Sequence, residues 1–216
     1  PLEELSVALR GKLSTVVVVG GPRRPNAGLM TNEEIRAAQN PIPKPGKWEA
    51  LRLVEYQMLQ MGYPIYKTAS VDGKIKGWME NSFELYKALD FGGFIPFVEG
   101  KGANGCFVEA SPEACYFQWA SNKLLPKRTL IGRMQRQLII YDLRMRISDP
   151  LDALEEFTRS KIRQGKIPNG ILFNGPELQA LALATMGWNL SFYPKRIQFT
   201  GTDLEGKVAL LSPEEL

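Results

Sequence analysis

Apolar residues recur along this chain in two rhythms, short β-branched runs and three- or four-residue spacings, and the two interleave as strands and helices do in an α/β protein. The run Thr15 to Val19, broken by Gly20-Gly21-Pro22, predicts a buried strand that runs into a loop, and Leu2 to Arg10 predicts a short helix before it. Pro25, Pro41, Pro43 and Pro45 predict a loop-rich lid or insertion around residues 23–47, with a few helical turns begun by Thr31 as cap and Glu34 three residues on, a capping box. Trp48 to Met61 places Leu51, Val54, Met58 and Met61 on one face of a helix that Gly62 and Pro64 end. A helix over Met79 to Leu89, a short strand over Phe94 to Val98 and a strand over Cys106 to Glu109 follow, and Ser111 can cap a helix carrying Cys115, Phe117 and Trp119. Thr129 to Tyr141 repeats Ile131, Met134, Leu138 and Tyr141 on one face and leaves Arg133, Arg136 and Gln137 off it; Pro150 to Gln164 predicts a further helix starting near Asp149. Glu177 to Met186 is apolar almost all round, as for a central helix buried between a sheet and other helices, and Arg196 to Phe199 and Lys207 to Leu211 predict two closing strands.

Composition narrows the chemistry. A chain of 216 residues with 44% hydrophobic and 23% charged residues suits one globular α/β domain over residues 1–216, with no internal repeat. No apolar run approaches the ~20 residues that cross a bilayer, so a soluble protein is expected. The chain opens on Pro1 without an initiator Met and shows no signal peptide, and two cysteines do not staple a scaffold, so a reducing, cytoplasmic setting is expected. With no histidine, a Ser-His-Asp triad, a Cys-His pair and nearly every common zinc or haem site are excluded, and a metal would need oxygen ligands, as Mg²⁺, Mn²⁺ or Ca²⁺ does.

The net charge of +4 permits nucleic-acid binding without predicting it, but the distribution is uneven. From Lys123 to Arg146 seven basic residues face one acid, Asp142, and the next stretch is acidic at Asp149, Asp152, Glu155 and Glu156. Lys127, Arg128, Arg133 and Arg136 are therefore candidate phosphate contacts, against the plainer reading of a solvated helix face. A dinucleotide-binding turn fails after Val19, because Pro22 and Pro25 stand where G-x-G-x-x-G needs glycines. Neither a P-loop nor a G-x-S-x-G elbow occurs. Glu109, at the end of an apolar strand and beside a helix start, is the acid best placed to present a metal ligand, or else an ordinary exposed strand-end Glu. Glu177, in the first turn of the apolar helix, can simply favour the helix dipole.

Taken in order, five segments resemble the uncharacterised family of predicted RNase H-like nucleases (domain-of-unknown-function family 429). Val19-Gly20-Gly21-Pro22 resembles its apolar strand ending in Asp-x-Pro, and Phe107-Val108-Glu109-Ala110-Ser111-Pro112 its V-x-E-x-x-P. Lys127-Arg128-Thr129-Leu130-Ile131-Gly132-Arg133-Met134-Gln135-Arg136 resembles its K-x-T-x-x-G-x-x-x-R, and Gln179-Ala180-Leu181-Ala182-Leu183-Ala184 its D-A-L-x-x-A helix. Gly201 to Leu211, with Glu205-Gly206, resembles its last hairpin. The resemblance implies an RNase H-like mixed sheet flanked by helices, a Mg²⁺- or Mn²⁺-dependent hydrolytic site with Glu109 as metal ligand and Glu177 as a second acid, and nucleic acid as partner. Gly20 and Gln179 replace two of the family's acids, and its first strand has no counterpart after Pro1. Either those first strands lie outside this chain or this is a catalytically degenerate relative. Two other readings stand beside it. One is a non-catalytic nucleic-acid- or protein-binding module using Trp48, Trp78, Trp119, Trp188 and the Pro-rich loop. The other is a nucleotide or sugar-phosphate enzyme using the Gly20-Gly21 turn.

Overall fold

A computed structural model describes residues 15–70, 73–99, 104–120, 123–166 and 170–212. The helix expected over Leu2 to Arg10 lies outside the described residues. Five strands form one mostly parallel sheet: β1 (Val16–Val19), β2 (Ile95–Pro96), β3 (Cys106–Ala110), β4 (Ile197–Thr202) and β5 (Gly206–Leu211). β3 is its centre, pairing in parallel with β1 along one edge and, along the other, with β2 at Cys106 and Phe107 and with β5 at Glu109 and Ala110. Among the described residues the only antiparallel pair is the hairpin β4–β5. Eight helices accompany the sheet among the described residues: α1 (Glu33–Ala37), α2 (Leu53–Gln60), α3 (Gly77–Phe91), α4 (Pro112–Trp119), α5 (Leu130–Asp142), α6 (Asp152–Glu156), α7 (Arg159–Arg163) and α8 (Gly175–Phe192).

The period of two along the strands divides the core in two. Val16, Val18, Val108, Ala110, Ala209 and Leu211 face α4, α5 and α8 through Tyr116, Ile140, Ala182, Met186 and Leu190. On the other face Val17, Val19 and Phe107 pack against Tyr86 and Leu89 of α3, and Val208 and Leu210 against Val54 and Met58 of α2. The expected mixed α/β sheet with helices on both faces is therefore present. No described helix is long and apolar enough to cross a membrane.

Four local expectations are corrected. The cap of α1 is Asn32, whose side chain accepts from the Glu34 and Ile35 N–H groups, while the Thr31 hydroxyl donates back to the Gly28 carbonyl. The helix expected from Pro150 to Gln164 is split at Phe157, because Thr158 caps a new helix by accepting from the Lys161 N–H. The apolar helix α8 is not buried all round, since Ala180 and Ala184 face solvent. Most consequentially, α5 is rotated from its expected facing: Ile131 is 57% exposed and Tyr141 is exposed, whereas Arg136 and Gln137 are buried.

Candidate nucleic-acid interface

The carboxyl ends of β1 and β3 are where an open parallel sheet builds sites, and Glu109 stands there on the face covered by α2 and α3. It is neither an exposed Glu nor an open ligand. The Arg52 guanidinium grips it bidentately, Nη2 to Oε1 at 2.7 Å and Nη1 to Oε2 at 3.2 Å, with both side chains 1% exposed. The Arg23 N–H adds a third bond to Oε2 at 2.8 Å. Arg52 also donates through Nε to Glu55 Oε1 at 3.0 Å and through Nη1 to the Glu205 carbonyl at 2.9 Å. Burial alone would lower the Arg52 pKa, but Glu109 and then Glu55 outweigh it and raise it further.

Two more buried acids complete this cluster, each fully engaged. Glu205 accepts from the N–H groups of Ala27, Leu29 and Leu53, pinning the proline-rich segment and the start of α2 to the β4–β5 hairpin. Glu55 accepts from the Thr68 N–H and hydroxyl, and its pKa is raised because desolvation exceeds the pull of Arg52 and Thr68. Gly206, at φ 100°, lets the hairpin pass so close that a Cβ there would lie 2.8 Å from Glu109 Oε2.

A Mg²⁺ or Mn²⁺ ion needs several oxygen lone pairs turned toward one position. Here the lone pairs of Glu109 point at a guanidinium and an N–H, so these residues do not fit a divalent ion: Arg52 fills the place of the cation. Nor does Glu177 join Glu109. It belongs to the α8 layer, on the opposite face of the sheet, and is the third residue of a capping box: its Oε2 accepts from the Asn174 N–H at 2.7 Å and its own N–H donates to Asn174 Oδ1 at 3.0 Å. Among the described residues no group of three or more Cys, Asp or Glu side chains is placed to hold a metal.

The four expected phosphate contacts do converge. Lys127, Arg128, Arg133 and Arg136 line one cavity of about 330 Å³ between α4, α5 and the start of α8, with Glu113, Tyr116 and Gln179. The sequence builds this cavity locally. Thr129 caps α5 by accepting from the Gly132 N–H, and its hydroxyl donates to the Pro126 carbonyl at 2.7 Å. A Cβ at Gly132 would collide with that carbonyl oxygen, so only glycine lets the Lys127-Arg128 turn lie flat on the helix. The four cations then differ in kind. Lys127 and Arg128 are exposed. Arg133 is anchored by Nε and Nη2 on the Phe173 carbonyl at 2.8 and 2.6 Å. Arg136, 4% exposed, is a clamp that donates to the Leu125 and Gly132 carbonyls and pairs with Glu113 at 2.8 Å, stacked over Tyr116. Its Nε has no hydrogen-bond partner among the described residues.

Compared with family models, curated proteins and solved structures, the chain matches none. Its chemistry therefore rests on its own geometry. Arg52, Glu55 and Glu205 were not singled out by periodicity, although Arg52 and Glu55 have capping-box spacing at the start of an apolar helix. Contacts across 57 and 153 residues give Arg52 its role, and Glu205 is engaged from as far away as Ala27, Leu29 and Leu53.

Proposed function

We propose that this chain is a nucleic-acid-binding protein built on an RNase H-like sheet, a degenerate relative of the nucleases that binds polyanions without cleaving them. The observation that carries this reading is the convergence of Lys127, Arg128, Arg133 and Arg136 on one cavity against a single acid, Glu113. A phosphate entering beside Lys127 and Arg128 meets exposed cations in front and two fixed guanidiniums behind, so part of the ordering cost of binding is already met in the free protein. The occupation of Glu109 by Arg52 supports the non-cleaving half, because water activation by paired divalent ions needs free carboxylates.

Anisotropy titrations of labelled single- and double-stranded DNA and RNA at several salt concentrations test the binding half. Lys127→Ala with Arg128→Ala alters only exposed side chains. It is expected to weaken binding alike for every sequence and to flatten the log–log salt dependence by about one unit per lost phosphate contact. Unchanged affinity and an unchanged slope would remove the cavity from the interface.

A further inference from the structure

A second cavity, of about 940 Å³, opens where β2 and β5 part along the same edge of β3, at the carboxyl end of the sheet. Its walls are unlike those of the basic cavity. Phe97 and Phe199 stack with their ring centroids 5.2 Å apart and 18° between their planes, and Phe107 lies beneath the Arg23 guanidinium at 5.0 Å. Lys207 and Arg24 stand at the rim, already engaged by Asp203: Lys207 Nζ pairs with its carboxylate at 3.0 Å and Arg24 Nη1 donates to its carbonyl at 3.1 Å. Arg23 differs. Its backbone N–H serves Glu109, but its half-buried guanidinium makes no hydrogen bond or ion pair among the described residues. Burial and then the neighbouring Arg24 lower its pKa, against the weaker opposing pull of Asp90 and Asp203.

The Gly20-Gly21 turn lies beside it. A Cβ at Gly20 would sit 2.9 Å from Leu183 Cδ1, and one at Gly21 2.9 Å from Ser82 Cβ, so these glycines serve the packing of α8 and α3 on the strand end.

We propose that this cavity binds a nucleoside monophosphate, its phosphate held by the Arg23 guanidinium and its base against the Phe97–Phe199 wall. A guanidinium fork matches phosphate oxygens bidentately, and an aromatic wall accepts any base face. The volume falls in the range of small-molecule sites. This site is separate from the basic cavity and does not depend on it.

Calorimetric titration of the protein with AMP, GMP, CMP and UMP, with the nucleosides and inorganic phosphate as half-ligands, tests it. At least one monophosphate is expected to bind with a Kd below roughly 1 mM, and at least about tenfold more weakly to Arg23→Ala and to Phe199→Leu. Lys127→Ala with Arg128→Ala is expected to leave this affinity unchanged, which separates the site from the polyanion reading. No saturable heat with wild-type protein overturns the proposal, as does Arg23→Ala binding like wild type. Inorganic phosphate binding as tightly as the monophosphates overturns the role of the aromatic wall.

Discussion

Arg52 ties three parts of the molecule together: it neutralises Glu109, bonds Glu55 and holds the β4–β5 hairpin through the Glu205 carbonyl. Removing one partner of a buried pair leaves the other charge uncompensated. Arg52→Met is therefore expected to cost about 3–5 kcal/mol in urea denaturation, with a good part regained in Arg52→Met/Glu109→Gln. An equal loss in single and double variants would deny the coupling. Glu55 adds a pH dependence of definite sign. Its native pKa is raised above the ordinary 4.5, so the native state holds its proton to higher pH than the unfolded chain does. Its stabilising contribution is complete below 4.5 and lost as pH rises through the raised value, so the stability difference between wild type and Glu55→Gln should fall across that window and level off above it. A difference independent of pH would contradict this. The cysteines stay inert for a related reason: burial lifts the Cys106 thiol to about 11 and the Cys115 thiol to about 12, and alkylation at pH 8 should reach neither until the chain unfolds.

Elements whose burial is one-sided and apolar were legible in the sequence. The strands β1 and β3, the helix α3 and the Ser111 cap of α4 fall where periodicity and capping put them, whereas α2 starts at Leu53 rather than at Trp48 and leaves Met61 past its end and exposed. The facing of α5 was not, for a physical reason. Its inner stripe carries Arg133, Arg136 and Gln137 because it packs on irregular loops, whose carbonyls at Leu125, Ser148, Ile171 and Phe173 take donors that apolar side chains lack. A search for apolar spacing must misplace such a face. The site divides in the same way. The basic cavity is compact in sequence over Lys127 to Arg136 and could be found there, whereas the partner of Glu109 is 57 residues away. Glu177 can be assigned at the level of its element. Asn174→Ala should cost about 1 kcal/mol of stability, while Glu177→Gln, which can still accept from the Asn174 N–H, should be nearly silent. A large loss of stability in Glu177→Gln would show that the box needs the charge.

Across the whole molecule, sheet and helices separate two places that the family resemblance joins. The strand end, where paired carboxylates would hold ions, is closed by a guanidinium, and the cationic cavity lies over the other face, between α4, α5 and α8. On the proposed reading binding and cleavage are separated, and only binding occurs. The most direct measurement is incubation of wild-type protein and Glu109→Gln with labelled single-stranded DNA, duplex DNA, RNA and RNA–DNA hybrid in Mg²⁺ or Mn²⁺, scored for binding and for cleavage in the same samples. Salt-dependent binding with intact substrate in every lane is the predicted result; metal-dependent cleavage by wild type that disappears in Glu109→Gln would contradict it and return Glu109 to a catalytic role.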